Sequence, residues 1–187
     1  MAQHPIRAPL WRAPLWRASQ LWIAAILGLT LAAPPARAGD ALQVEETKAA
    51  MLYNFGRFAV WPEGRFARPD DPVVICIDPA DPLAPALASI DGKPLGGRVI
   101  QVRRTARPER SCHMAYVSAA AASDAVLASL NEHGVLTVGE SAEFERAGAI
   151  RLVTIGGQVR FEINQHNAAA AGVRLSSNLM RLAVVVR

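Results

Sequence analysis

Apolar and polar residues alternate most regularly in the segment 158–163. A period of two is typical of a strand with one buried face, so this segment predicts a half-buried strand. Asn164 then stands where the N-cap of an alanine-rich helix is expected, and Gly172 stands where that helix ends. Ser176 and Ser177 offer a second cap. The final helix that they begin is predicted to turn four side chains toward a core, namely Leu179, Leu182, Ala183 and Val186.

The same pattern analysis gives the fold class of the rest of the chain. Apolar residues recur at helical spacing from Glu45 until Pro62, after a polar leader at 39–46, and further helices are predicted at 81–90 and 119–131. Because strands and helices alternate, we expect an α/β fold with a mostly parallel sheet of about six strands and helices on both faces. Gly156 and Gly157 predict one antiparallel edge hairpin. The six predicted strands are 73–77, 97–102, 112–117, 135–138, 149–153 and 158–163.

The amino-terminal segment 1–38 has the organisation of a secretory signal peptide. Three arginines precede an apolar run at 21–31, and small residues follow at Ala36 and Ala38. The run is shorter than the roughly 20 residues that a spanning helix needs, which favours cleavage over an uncleaved membrane anchor. We therefore expect an exported chain with one domain at 39–187.

Charge changes the picture once this segment is removed. Four of the 20 Lys and Arg residues and none of the 16 Asp and Glu residues lie in 1–38, so the remainder has 16 of each. A nucleic-acid-binding domain usually has a strongly basic face, so the sequence predicts no nucleic-acid partner.

Cys76 and Cys112 are the two cysteines of the chain. An even number of cysteines in an exported protein favours a disulfide, and two free buried thiols are the alternative. A bridge would close a loop of about 37 residues, for which chain entropy predicts about 4 kcal/mol of stabilisation.

The sequence contains no recognisable catalytic, metal or cofactor motif. Cys112 and His113 are neighbours, but adjacent residues of a strand point to opposite faces and cannot easily form a thiolate–imidazolium pair. The histidines after the signal segment are scattered without ligand spacing, and no glycine-rich segment carries a phosphate-binding signature. We therefore expect a protein that is not an enzyme and binds no metal or cofactor.

Two groups of residues are candidate binding sites. Parallel α/β sheets form clefts at the carboxyl ends of their strands, and four residues should lie near that edge as a candidate ligand cleft. Phe58 and Trp61 lie off the main apolar stripe of the first helix, so they either pack under the following loop or contact a partner. The four candidate cleft residues are Asp78, Ser118, Gly139 and Glu140.

Several short motifs, taken in order, resemble the YfiR-like family of periplasmic regulators along nearly the whole of 39–187. The matching motifs are 48–55, Trp61-Pro62, 75–77, 92–94, Cys112-His113, 135–139, 161–164 and 175–177. The resemblance implies a periplasmic protein that binds and represses the periplasmic part of a membrane-bound diguanylate cyclase, lowering cyclic-di-GMP and biofilm formation. It also implies redox sensing through cysteines at the positions of Cys76 and Cys112, and an outer-membrane lipoprotein as a second partner.

Other functions and partners remain open at this stage. A periplasmic small-ligand receptor would use the cleft at the strand ends, and a regulator of this kind could act on a sensor kinase instead of a cyclase. The sequence is also compatible with a homodimer.

Overall fold

Residues 38–187 are described by a computed structural model, and they alternate between helices and strands. The helices are α1 Ala38–Phe58, α2 Ala84–Leu87, α3 Asp124–Glu132, α4 Gln165–Ala170 and α5 Ser177–Leu182, with 3-10 turns at Ala88–Ile90 and Ala142–Glu145. The strands are β1 Ala59–Val60, β2 Val73–Ile77, β3 Pro94–Leu95, β4 Arg98–Arg104, β5 Met114–Tyr116, β6 Leu136–Gly139, β7 Ile150–Ile155, β8 Gln158–Ile163, β9 Arg174–Leu175 and β10 Val185–Val186. The signal peptide predicted at 1–38 lies outside the described residues, apart from Ala38.

The predicted fold class is confirmed, with more strands than expected. The main sheet has eight strands in the order β10-β8-β7-β6-β5-β2-β4-β3. Only the pairs β7–β8 and β3–β4 are antiparallel within it, so the sheet is mostly parallel. The β7–β8 hairpin forms as predicted, but β10 adds outside it, so the hairpin does not form the edge.

The predicted course of the carboxyl terminus is therefore wrong. Helix α5 is capped by Ser176, whose Oγ accepts from the amide of Leu179 at 3.3 Å, but the helix stops at Leu182. Leu179 is 2% exposed, whereas Leu182 is 65% exposed. Val185 and Val186 continue as a strand because the outer edge of β8 offers backbone groups to pair with, and β-branched residues suit a strand.

Three helices also start at other residues than predicted. The polar leader at 39–46 is helical, because α1 already includes Ala38. Helix α3 starts later than predicted, since Ser123 is its N-cap and accepts from the amide of Val126 at 3.3 Å. The predicted helix at 81–90 is helical only from Ala84.

Both faces of the sheet are covered, as the continuous apolar run of β2 predicts. Val73, Ile75 and Ile77 belong to one buried cluster, together with residues of α1, α2, α4 and α5. Val74 and Cys76 belong to a second cluster on the other face, which includes residues of α3. Successive side chains of a strand point to opposite faces, which explains this division.

A second, small sheet lies next to the main one. In it β1 pairs antiparallel with β9, and the amide of Ser176 donates to the carbonyl of Phe58 at 3.0 Å. This pairing fixes the chain at the point where α1 passes into the Trp61 segment. Within residues 38–187, no helix is both long enough and apolar enough to span a bilayer.

Candidate functional site

The carboxyl ends of β2, β5 and β6 lie side by side at one edge of the main sheet. Ile77 pairs with Tyr116, and Tyr116 pairs with Val138 on its other side. Parallel strands end at the same edge, so the residues that follow them also meet there. The four predicted cleft residues, Asp78, Ser118, Gly139 and Glu140, all follow or close these strands.

Lys48 of α1 reaches this edge and joins a polar network. Its Nζ lies 2.7 Å from Oε1 of Glu140 and 3.0 Å from Oε1 of Glu45. The hydroxyl of Tyr116 donates to the same Oε1 of Glu140 at 2.5 Å. Lys48 is 9% exposed, so its ammonium group takes its partners from the protein rather than from bulk water.

The electrostatics of the network follow from burial and from its two glutamates. Burial by itself would lower the pKa of Lys48, but hydrogen bonds and charges of Glu140 and Glu45 outweigh it and raise the pKa. Burial, followed by the hydrogen bond to Glu140, raises the pKa of Tyr116. At neutral pH the network therefore contains a charged ammonium group and a neutral phenol.

Two of the predicted cleft residues have structural roles. The Asp78 carboxylate accepts from the amide of Ala80 at 2.8 Å and so stabilises the turn after β2. Gly139 is buried, and a Cβ there would overlap the ring of Phe144 and lie 2.6 Å from the carbonyl oxygen of Val117. Five of the cavities along residues 38–187 are lined by other residues, and none of these five includes Asp78, Ser118, Gly139 or Glu140. A ligand cleft at this edge remains a prediction.

An aromatic cluster lies at the opposite end of the central strands, around His113. The ring of Phe66 stacks on the His113 ring at 4.4 Å, with 11° between the planes. Trp61 contacts both rings edge to face, and its Nε1 donates to the His113 carbonyl at 3.3 Å. The guanidinium of Arg98 lies 3.6 Å above the other face of Phe66. Phe66 is thus enclosed between a cation and an imidazole.

His113 is a buried, neutral member of this cluster. The amide of Val74 donates to its Nδ1 at 3.1 Å, so the ring proton lies on Nε2. Burial, together with the charge of Arg65, lowers the pKa of His113 to about 4. His113 is 6% exposed, and its Nε2 has no hydrogen-bond partner among the described residues. Packing is its main interaction.

Cys76 and Cys112 form a disulfide, as the cysteine count favoured. Both cysteines are fully buried in the second cluster, on the face opposite to the one that contains Ile75. Arg65 donates to the carbonyl of Cys112, and also to that of Arg110 at 2.7 Å. The bridge and Arg65 together hold the segment that leads directly into His113.

Phe58 and Trp61, the predicted partner-binding residues, are both half-buried and pack against the main core. Trp61 also lies against Phe66 of the following loop, which is the packing alternative considered from the sequence. Between them Val60 is 51% exposed. The surface around Trp61 is therefore partly open to a partner, although much of the indole itself is used internally.

Sequence reasoning misses Phe66 and the pairing of Lys48 with Glu140. For Lys48 a signal was present, because a lysine on the apolar stripe of α1 must find a partner where the stripe is buried. For Phe66 there was none, since it lies in an irregular, polar loop. Along residues 38–187, no three or more His, Cys, Asp or Glu side chains are grouped so that they could hold a metal ion.

The fold, the polar carboxyl edge and the aromatic cluster define a disulfide-bonded α/β domain with partly exposed aromatic side chains. Domains of this class are suited to binding another molecule. The sequence profile of the YfiR/HmsC-like family matches residues 45–184. The chain therefore belongs to this family. Its members are periplasmic regulators in diguanylate cyclase signalling.

Other comparisons add little to this assignment. No curated protein sequence matches the chain. A solved structure, a conserved domain protein from Vibrio cholerae O1 biovar El Tor, is similar with a TM-score of 0.49 and 10% identity. The match covers 76% of this chain and 60% of that one, so the chain spans about 60% of its length.

Proposed function

We propose that this protein binds the periplasmic part of a membrane-bound diguanylate cyclase and represses it, so that cyclic-di-GMP and biofilm formation fall. The observation that carries the proposal is the family match across residues 45–184, which includes both cysteines and the Trp61 cluster. In this scheme an outer-membrane lipoprotein sequesters the repressor and releases the cyclase.

The chemistry of the described residues supports binding rather than catalysis. A thiol nucleophile needs a free thiolate beside a base, but Cys76 and Cys112 are joined to each other. A general base needs an accessible nitrogen, and His113 is buried with its Nδ1 already accepting from a backbone amide. Neither group is placed to attack or deprotonate a substrate.

Intracellular cyclic-di-GMP tests the proposal directly. We expect it to rise in a strain that lacks this protein and to return to the parent level when the exported form is restored. An unchanged level would contradict repression of a cyclase, and altered phosphorylation of a response regulator in the same strain would point to a sensor kinase as the partner.

Phe58 and Trp61 are proposed to contribute to the partner surface. We expect Phe58→Ala and Trp61→Ala to weaken partner binding, because large half-buried aromatic residues often dominate interface energetics. Ile155→Ala is a matched control, since Ile155 is 54% exposed on the distant β7–β8 hairpin. Because Trp61 also packs internally, the folded state of each variant is checked by its melting temperature. Equal partner affinity in folded variants would refute this role.

We also propose that the redox state of the Cys76–Cys112 bridge controls repression. Reduction of the Cys76–Cys112 bridge would loosen the segment before His113, and with it the aromatic cluster that His113 supports. We expect a reduced protein, or the Cys112→Ser variant, to repress more weakly in the cyclic-di-GMP assay. Full repression by a folded Cys112→Ser protein would make the bridge purely structural.

A small-ligand receptor is the second candidate, and one feature of the carboxyl edge favours it. The Glu140 side chain is 40% exposed while its partner Lys48 is buried, so an anionic ligand could replace Glu140 on the ammonium group. A rise in melting temperature with such a ligand, lost in Lys48→Met, would support the receptor. A homodimer is compatible with either function and is tested by sedimentation.

A further inference from the structure

A groove of about 440 Å³ lies between β1 and the turn that joins β3 to β4. Trp61 and Phe66 supply its aromatic wall, and Val60 and Leu95 supply aliphatic surface. Arg57 and Arg98 also line it, and among its described lining residues none is acidic. We name it the Arg57–Arg98 groove. It combines apolar surface with positive charge.

The two guanidinium groups keep their charge available to a ligand. Arg57 is exposed and lies 5.8 Å from the centre of the Phe58 ring. Arg98 donates to the carbonyls of Arg68 at 3.1 Å and Asp71 at 2.7 Å, which are neutral acceptors. In the described part of the chain, neither arginine forms an ion pair with a carboxylate. The groove is therefore electrostatically complementary to an anionic group.

The aromatic wall is held in place before any ligand arrives. The Trp61 indole donates to the His113 carbonyl, and Phe66 is stacked between Arg98 and His113. A surface that is already ordered loses little conformational entropy on binding, which favours affinity.

The backbone of β1 adds a third feature. Within residues 38–187, β1 pairs with β9 only, so its second edge has no strand partner. An unpaired strand edge can bond an extended peptide, and pockets beside the edge then select its side chains. Val60 of β1 is half exposed and lines the groove.

We propose that the Arg57–Arg98 groove binds an extended segment of the protein's partner in which acidic and apolar side chains alternate. Carboxylates of that segment would pair with Arg57 and Arg98, and apolar side chains would pack against Trp61 and Val60. This inference rests on the proposed function, because the segment would belong to the periplasmic part of the restrained cyclase.

Fluorescence of Trp61 can report binding in the groove. The chain has four tryptophans, and the other three are Trp11, Trp16 and Trp22. The full chain with those three changed to Phe leaves Trp61 as the only reporter. The probe is a blocked peptide of three Asp-Leu-Glu-Val repeats, and the control peptide replaces each acidic residue with Lys.

We expect a saturable change in Trp61 fluorescence with the acidic peptide, weakened by salt, and none with the basic peptide. Arg57→Glu should lower the affinity roughly tenfold, because an attraction becomes a repulsion at the rim. Arg107→Glu makes the same charge change at an exposed site outside the groove and should keep the parent affinity.

Three results with the acidic and basic peptides would overturn the inference. They are no saturable response up to millimolar peptide, equal affinity for the two peptides, and unchanged affinity in a folded Arg57→Glu variant. An equal response to N-acetylaspartate would also overturn it, since the groove would then be a small-anion site. If Arg57→Glu disrupted self-association seen by sedimentation of the parent, the occupant would instead be a second copy of the chain.

The inference and the proposed function can fail separately. If the peptide does not bind but deletion of the protein raises cyclic-di-GMP, repression stands and uses another surface. If the peptide binds but deletion leaves cyclic-di-GMP unchanged, the groove stands and the cyclase is not the partner.

Discussion

At the scale of a single residue, His113 links β2 to the loop that contains Phe66. Its Nδ1 accepts from the amide of Val74 in β2, while its ring supports Phe66 of the loop. Protonation would remove that acceptor and place a charge in a buried site near Arg65 and Arg98, both of which lower its pKa. The neutral ring is therefore part of the folded structure.

This arrangement predicts a specific pH dependence of stability. The folded-state pKa of His113 is about 4, below the ordinary value of 6.5, so between these values the unfolded chain binds the proton and the folded protein does not. The free energy of unfolding should fall as the pH drops from about 6.5 to about 4, by at most about 1.4 kcal/mol per pH unit. Urea unfolding across this range measures the slope.

Two variants isolate the contribution of His113 from that of the carboxylates. His113→Asn keeps a hydrogen-bond acceptor for Val74 but does not titrate, so it should have a shallower slope than the parent. His166→Gln alters an exposed histidine on α4 and should leave the slope unchanged. Equal slopes in the parent and His113→Asn would contradict the prediction.

Gly139 is a second position where one residue type is required. Its neighbours Phe144 and Val117 leave no space for a Cβ. We expect Gly139→Ala to destabilise the fold by about 1–3 kcal/mol through overpacking, measured by denaturant unfolding. Gly39→Ala is the control, because no atom lies within 4 Å of a Cβ built there. Comparable stability of the two variants would show that the Phe144 site can relax.

At the scale of elements, Lys48 connects α1 to the end of β6. The helix crosses one face of the sheet through an apolar stripe, and apolar contacts alone leave its position along the strands weakly specified. The ion pairs of Lys48 with Glu140 after β6 and with Glu45 on the same helix add a directional contact. They help to set where α1 lies over the carboxyl edge.

Removing the ammonium group should therefore loosen this docking. We expect Lys48→Met to lower the free energy of unfolding by about 2 kcal/mol, less than for a fully buried pair because Glu140 is partly exposed. Chemical denaturation measures the change at neutral pH. The raised pKa of Lys48 means that the parent keeps this contribution below pH 10.5 and loses it at higher pH.

The matched control is a pair on the surface. Arg146 donates to both carboxylate oxygens of Asp124, at 3.0 and 3.1 Å, but the two side chains are 64% and 52% exposed. Arg146→Met should therefore cost at most about 1 kcal/mol. An effect of Arg146→Met as large as that of Lys48→Met would argue against a special role for the buried lysine.

At the scale of the whole molecule, the disulfide links Cys76, near the carboxyl end of β2, to Cys112, two residues before β5. The bridged residues are 36 positions apart, and the loop between them contains α2, β3 and β4. Closing such a loop restricts the unfolded chain, which is the main way in which a disulfide stabilises a protein. The bridge therefore joins β2 covalently to the segment that leads into the neighbouring strand β5.

Loss of the bridge should be visible in thermal unfolding. We expect Cys76→Ser and Cys112→Ser each to lose about 4 kcal/mol and roughly 10 °C in melting temperature under oxidising conditions. The parent in reductant should approach the same value. Mutant and parent proteins that melt together under oxidising conditions would contradict a stabilising role for the bridge.

Much of the fold was predictable from local patterns. The alternation at 158–163 predicted β8, and the continuous apolar run predicted β2 with both faces covered. Both predictions succeed because each buried position of a strand requires an apolar side chain. Asn164 and Gly172 were correct as cap and stop, since the side chain of Asn164 accepts from Asn167 at 3.1 Å and Gly172 has a φ of +66°. These are interactions between residues close in sequence.

The candidate sites were less predictable for the opposite reason. The strand order brings Asp78, Ser118 and Glu140 to one edge as expected, but the sequence did not indicate that Lys48 would occupy it. Likewise Phe66, His113 and Arg98 are separated widely along the chain and meet only through the loop geometry. Contacts of that kind have no signature in local patterns.

The sequence by itself determined six of the strands, the approximate positions of the helices, the mostly parallel sheet, the cysteine pair and membership of a family of periplasmic regulators. Only the tertiary structure decided that Val185 and Val186 leave the helix to extend the sheet, because an edge of β8 was available to pair with them. It also decided that Lys48 pairs with Glu140 at the carboxyl edge of the sheet. The same packing forms one groove that is lined by Arg57, Trp61, Phe66 and Arg98. Periodicity records which side chains are buried, whereas the choice of partner depends on how distant elements pack.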